Sequence, residues 1–181
     1  VPKKPIILMD EWESKIKAIV ENTWNKDVNS LSGVPSWMLV LIKAVLKKTG
    51  REYLTDVWPN LEVFFHGGVC FTPYREQYKQ LIPTDKMHYM ETYNASEGFF
   101  SAQDSPDEDG MLLFTRHGIF FEFMPLEEYG KKFPYTVGLN KVELGKNYAP
   151  IISTNGGLWR YIIGDTIQFT SLKPYRIKVS G

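Results

Sequence analysis

Apolar positions in the first hundred residues recur mostly at helical spacing. Trp12, Ile16, Ile19, Val20 and Trp24 share one helical face. Asp10, with Glu13 three residues on, reads as a capping box at the start of that helix, where carboxylates satisfy free N–H groups. A loop holding Ser30, Ser32, Gly33 and Pro35 follows. Residues 37–48 are predicted as a second helix ended by Gly50, with Lys43, Lys47 and Lys48 toward its C-terminal part, where cations suit the dipole. That helix is apolar nearly all round until Lys43, so it should be buried on more than one side or line a cavity. Trp58-Pro59-Asn60 is a stop signal; residues 61–65 then read as a short strand running into Gly67-Gly68, 72–81 as a helix and 88–92 as a strand. This αβαβ rhythm predicts a mostly parallel sheet covered by helices.

The pattern changes after Glu97. Residues 111–115 and 119–124 are β-rich runs around Arg116-His117-Gly118, which reads as a hairpin. Further strands are expected at 141–144, 149–154, 159–163, 166–169 and 175–179, while 103–110, with four acidic residues, reads as an exposed loop. The expected class is therefore α/β, with a mixed, mainly parallel sheet and covering helices over residues 1–100. An antiparallel, strand-rich subdomain is expected over 101–181.

Composition narrows the function. The 21 basic and 21 acidic residues cancel, leaving no electrostatic footprint for nucleic acid or an anionic membrane. The longest strongly apolar run, 37–42, is far short of the roughly 20 residues that span a bilayer. Cys70 is the chain's one cysteine, which rules out an internal disulfide and a cysteine-rich zinc cluster and points to a reducing, cytoplasmic setting. His66, His88 and His117 have no metal-like spacing. The chain opens on Val1 without an initiator Met or a signal-peptide pattern, and ends in a strand-like run. It is expected to be a piece of a longer protein.

Three segments, each where a strand gives way to a loop, could carry chemistry, because open α/β sheets bind ligands at the carboxyl ends of strands. In Phe65-His66-Gly67-Gly68-Val69 the glycines would let a ligand approach the backbone; they equally mark a tight turn. Tyr93-Asn94-Ala95-Ser96-Glu97-Gly98 offers an aromatic face, a hydroxyl and a carboxylate, suited to a nucleobase, a phosphate oxygen and Mg²⁺, or else a polar loop with a capping Ser. Trp159-Arg160-Tyr161-Ile162-Ile163-Gly164-Asp165 ends in a Gly-Asp pair that could present a carboxylate to two ribose hydroxyls, or form an ordinary turn. A hydrolase built on Glu91 and Glu97 fits poorly, since strand alternation does not carry across a strand-to-loop junction.

Taken in order, these segments resemble the auxin-responsive acyl-acid amido synthetase family, within the acyl-adenylate-forming superfamily that includes firefly luciferase. Tyr93 to Glu97 is similar to that family's Tyr-x-Ser-Ser-Glu, and Trp159 to Asp165 to its Tyr-Arg-Tyr-Arg-x-Gly-Asp, 68 residues further on (165 − 97). Phe120 to Pro125 resembles its Tyr-Phe-Glu-Phe-Leu-Pro strand, Val57 to Asn60 its Met-Trp-Pro-Asn, and Tyr148 to Thr154 the strand before the second motif. The likeness runs from about residue 10 to the end.

The resemblance implies part of the large N-terminal domain of an ATP- and Mg²⁺-dependent ligase that adenylates a carboxylic acid and transfers the acyl group to an amine, typically an amino acid. It implies that Gly67 and Gly68 border adenine, Tyr93 stacks on it, Ser96 contacts the α-phosphate, Glu97 is catalytic and holds Mg²⁺, and Asp165 binds ribose. The helix from 37 and its preceding loop would wall the acyl pocket, with Trp37, Val40 and Leu41 as candidates. Ile162 departs from the family pattern, where Arg usually stands, although Arg160 is retained. The family's Ser/Thr/Gly-rich phosphate loop and its mobile C-terminal domain have no counterpart in the sequence, so turnover by these 181 residues is expected to be weak or absent and their nucleotide binding feeble at best. A thioester-forming ligase with coenzyme A as acceptor, and a non-catalytic small-molecule binding module, remain the alternatives.

Overall fold

The chain opens with a single helical turn, α1 (Lys4–Ile7), and a longer helix, α2 (Trp12–Thr23). In the computed structural model, which describes residues 2–108 and 110–181, Glu11 caps α2 rather than Asp10. Its carboxylate accepts from the backbone N–H groups of Glu13 (2.9 Å) and Ser14 (2.6 Å). An N-cap side chain must reach the second and third helical N–H groups, and Asp10 stands one residue too early.

The stretch expected to be a Ser/Gly loop is a strand, β1 (Ser30–Gly33), and Pro35 is the first residue of α3 (Pro35–Thr49). Pro suits that position because its missing N–H would be unpaired there anyway. Gly50 ends α3 in the left-handed region at φ 65°. Leu39, Ile42, Val45 and Leu46 form the buried face of α3. A short 3-10 turn at Leu54–Asp56 leads to β2 (Val63–His66), which runs parallel to β1 in the register Ser30↔Val63 to Gly33↔His66. Two parallel neighbours need a crossover, and α3 supplies it. Thr72–Tyr74 forms a 3-10 turn leading into α4 (Arg75–Leu81), as the single helix expected over 72–81 implied.

The chain divides into two compact units, Val1–Met90 and Glu91–Gly181, and the boundary falls inside β3 (His88–Ala95). The core of the first unit gathers Ile42, Val45, Leu54, Trp58, Phe64 and Tyr78. Two of its buried polar groups are matched across the core: the Trp58 indole N–H donates to the Thr23 carbonyl at 3.2 Å and the Tyr78 hydroxyl to the Pro35 carbonyl at 2.8 Å.

The second unit is an antiparallel sheet in the order β3, β4 (Gly98–Ala102), β5 (Met111–Leu113), β10 (Tyr175–Val179), β9 (Ile167–Leu172), β7 (Asn147–Thr154), β6 (Ile119–Pro125), with β8 (Tyr161–Ile162) added to β7. The fold is thus α/β with a mixed sheet, as expected: parallel in the first unit and antiparallel in the second. Three local expectations fail. Residues 111–115 and 119–124 do not form a hairpin: β5 pairs with β4 and β10, and β6 pairs with β7. Both runs have the alternation of a strand, and alternation does not encode which neighbour a strand takes. Around 141–144 there is a 3-10 turn, Leu139–Lys141, and a single bridge from Leu144 to Phe169. The strand expected at 159–163 shrinks to Tyr161–Ile162, because Arg160 turns the chain at φ 47°. Phe100, Phe123, Tyr148, Ile152 and Phe169 lie in this unit's core, with Phe123 and Phe169 edge to face at 5.0 Å. Among the described residues no helix is long and apolar enough to cross a membrane.

His66 lies buried at the end of β2, stacked on Phe71 at 4.2 Å, and burial together with the Arg75 charge lowers its imidazole to about 4 from an ordinary 6.5. Below pH 6.5 the unfolded chain takes up a proton that the folded chain refuses, so stability falls as pH drops from 6.5 toward 4. The loss should reach on the order of 2–3 kcal/mol by pH 4. Thermal melts between pH 7 and 4 should show a shallower decline for His66→Phe than for the unsubstituted chain.

Candidate functional site

The two motif segments of the second unit meet. The Tyr93-to-Glu97 segment is not a loop: β3 runs through Ala95, and Ser96-Glu97 is a two-residue turn into β4. Tyr93 points into the core, 7% exposed, with its ring packed on Phe100 at 5.0 Å. A buried phenol must hydrogen-bond or lose the full cost of desolvation. Here its hydroxyl donates to Asp165 Oδ2 at 2.7 Å, across a sequence separation of 72 residues. Burial, then the hydrogen bond and charge of Asp165, then the charge of Glu97, push the Tyr93 phenol far above its ordinary value, so it stays a donor. Asp165 is half-buried, and its Oδ1 accepts no hydrogen bond from the described residues. Glu97, also half-buried, lies near the Tyr161 phenol, and its carboxylate holds that phenol above its ordinary value. Ser96 is exposed at the tip of the turn. Tyr93, Glu97 and Asp165 are therefore neighbours, with Tyr161 beside Glu97, while Ser96 adjoins them through the chain.

A second cluster borders them. Arg160 forks onto Glu122 of β6, with Nε to Oε2 at 2.9 Å and Nη2 to Oε1 at 3.1 Å, while Thr136 donates to Glu122 Oε1 at 2.7 Å. These bonds, Thr136 first and Arg160 after it, hold the Glu122 carboxyl below the usual carboxylate range. Sequence reasoning gave no role to Glu122, Thr136 or Tyr161. A lone acid among the phenylalanines of 120–123 was the available signal, and nothing in the sequence pairs it with an arginine 38 residues away.

The remaining candidates lie in the first unit. Trp37 and Leu41 line an open cavity of about 480 Å³ together with Trp12, Ile16, Ile19 and Met38, floored by β1. The Trp12 and Trp37 rings sit 5.7 Å apart, and Trp37 is 61% exposed. The apolar second face of α3 thus borders a cavity, as its composition required. Val40, 47% exposed, does not line it: a residue adjacent to Leu41 is turned about 100° around the helix. Asp27 is the one ionisable side chain among the described residues lining this cavity. Gly68 needs its freedom, at φ 80° with Val34 Cγ2 3.4 Å from where a Cβ would be; Gly67 stands between it and the end of β2.

Among the described residues no group of three or more His, Cys, Asp or Glu side chains could hold a metal alone. A magnesium ion needs less than that from the protein, since it commonly takes one or two carboxylates with substrate phosphates and water completing its shell. Glu97, a half-buried carboxylate in the turn between β3 and β4, fits that arrangement.

A family model described as "GH3 family N-terminal domain" matches residues 1–87, and one described as "GH3 family central domain" matches residues 112–181. The chain is 28% identical to indole-3-acetic acid-amido synthetase GH3.4 of Arabidopsis thaliana over 170 residues, covering 88% of this chain and 27% of that relative. It spans, then, roughly a quarter of that relative's length. Among solved structures, the GH3.15 acyl acid amido synthetase matches with a TM-score of 0.69 at 15% identity, over 96% of this chain and 41% of that one. A 2-hydroxyisobutyryl-CoA ligase matches with a TM-score of 0.65 at 13% identity, over 93% and 36%. Likeness at such low identity establishes a shared fold.

Removing one hydroxyl tests the cluster. Tyr93→Phe leaves a half-buried Asp165 without its donor and should cost about 1–2 kcal/mol in urea unfolding. Tyr161→Phe, on the exposed edge, should cost less than about 0.5 kcal/mol.

Proposed function

We propose that this chain, which belongs to the GH3 family, contributes the ribose- and phosphate-contacting groups of an ATP-dependent ligase that activates a carboxylic acid as its adenylate and passes the acyl group to an amine. The hydrogen bond from Tyr93 to Asp165 supports this reading most directly, because it joins the two motif segments at one place and leaves Asp165 Oδ1 open.

The chemical problem is the approach of two anions. A carboxylate oxygen attacks the α-phosphorus of ATP, the bond to pyrophosphate breaks, and negative charge builds on the phosphoryl oxygens. An amine nitrogen then attacks the acyl carbon, AMP departs with the shared oxygen, and the nitrogen gives up a proton. In this reading Asp165 accepts from the ribose hydroxyls through Oδ1 and so fixes the nucleoside. Ser96 donates its hydroxyl to an α-phosphate oxygen from the tip of the turn. Bound magnesium would neutralise phosphate charge, and Glu97 is the residue that would hold it. Tyr93 serves through its hydroxyl, which orients Asp165; its ring, packed against Phe100, has little face left for stacking on adenine. The cavity beside Trp12 and Trp37 suits the apolar body of an acyl acid. With Asp27 as its one ionisable lining residue, it would leave the carboxylate at the opening.

The fold shared with a CoA ligase supports a second reading, in which a thiol replaces the amine as acceptor; the adenylating half is common to both. Competition between an amino acid and coenzyme A for the activated acyl group separates them.

Binding of AMP and of MgATP to the 181-residue chain, followed by calorimetry, tests the nucleotide reading. Asp165→Asn should weaken AMP about tenfold. Glu97→Ala should abolish the magnesium dependence of ATP binding while leaving the melting temperature within about 2 °C of the unsubstituted chain's, since Glu97 is at a surface turn. No binding of either nucleotide at millimolar concentration, or unfolding by Glu97→Ala, would sink it.

A further inference from the structure

The segment that carries Tyr161 and Asp165 is weakly held by its own strand. β8 has two residues, paired with β7 only as Ile151↔Ile162 and Ile152↔Tyr161, and both Tyr161 and Ile162 are exposed. So short an edge strand frays unless something outside it fixes its start. Arg160 stands at that start. Its backbone N–H donates to Ser153 Oγ at 3.0 Å, and its guanidinium spans Glu122 through two hydrogen bonds and reaches Thr136 Oγ1 at 3.4 Å. Its backbone sits at φ 47°, a conformation that a residue other than glycine keeps only when its surroundings impose it.

We infer that Glu122, Thr136 and Arg160 form a clamp that positions the 161–165 segment, and hence the Asp165 carboxylate, making Arg160 a positioning residue and not a phosphate ligand. The functional half of this inference rests on the nucleotide reading above; the mechanical half does not. Two features favour the clamp over a direct role. The guanidinium is already matched by a bidentate carboxylate, so its charge is spent within the protein. Glu122 is also fixed on both sides: its β6 neighbours Phe121 and Phe123 are buried, and Thr136 donates to it. The clamp thus ties the edge strand to the best-packed part of the unit. An isolated surface ion pair contributes little, but here four bonds converge on one residue at the point where the chain turns.

Hydrogen–deuterium exchange on the full 181-residue chain, with AMP titration in parallel, tests this. Arg160→Met and Glu122→Gln should each speed exchange in peptides covering 161–163 about tenfold and weaken AMP about fivefold, with the urea midpoint little changed. The double variant should be no worse than either single one, because both break the same clamp. Arg160→Gly should behave like Arg160→Met even though glycine accepts the backbone angle, and Arg160→Lys should recover part of the protection. Unchanged exchange in both single variants overturns the clamp. So does AMP weakened by Arg160→Met but not by Glu122→Gln, which would mark the guanidinium as a direct phosphate contact. If the unsubstituted chain binds no AMP, the nucleotide reading fails and the exchange data alone decide the clamp.

Discussion

The register between β6 and β7, running unbroken from Ile119↔Thr154 to Pro125↔Tyr148, is the constraint on which the arrangement of the second unit's polar side chains depends. Successive strand residues face opposite sides, so this register sends Phe121 and Phe123 into the core and leaves Phe120 and Glu122 on the other face. A slip of one residue would exchange the two sets, burying a carboxylate and exposing two phenylalanines. β7 in turn carries β8 on its edge and supplies Ser153 to the Arg160 backbone. Apolar burial therefore places Glu122 where Arg160 and Thr136 can reach it.

A second constraint works in the opposite direction, from a polar group to the arrangement around it. The Tyr93 ring is large and apolar enough to belong in the core, but its hydroxyl cannot stay there unpaired. Asp165 meets that demand, and in doing so is itself oriented. An acid at the start of β9 would otherwise be free to sample solvent; bonded to a buried phenol it has one oxygen committed and one available. Orientation of the acid and satisfaction of a buried donor are the same interaction here, so a half-buried carboxylate is kept with no cation beside it among the described residues.

The first unit shows how far composition and period carry. A helix apolar on nearly every side has to bury one face and give the other something to do, and α3 packs Leu39, Ile42, Val45 and Leu46 inward while Trp37 and Leu41 border a cavity. Gly50 as the helix stop was legible too, since an αL cap needs a residue without a Cβ. The shift from Asp10 to Glu11 at the start of α2 was not, because two adjacent acids offer the same chemistry and only the backbone geometry chooses between them. The same holds for 30–33: Ser and Gly read as a loop, and pairing with β2 overrode that weak local preference.

The sequence by itself determined the α/β class, the change to an antiparallel sheet in the second half, the family to which the chain belongs, and the short list containing Tyr93, Ser96, Glu97 and Asp165. Those follow from periodicity and motif, which are local properties of the chain. Tertiary structure alone decided that the Tyr93 ring is buried while its hydroxyl bonds Asp165, that β5 and β6 part company instead of forming a hairpin, and that Glu122 seeks out Arg160. Each of these is a pairing between residues far apart in sequence or a choice among equivalent strand partners. Such choices are settled by which arrangement buries the most apolar surface while leaving few buried polar groups unmatched, a condition on the whole unit that no local stretch of sequence encodes.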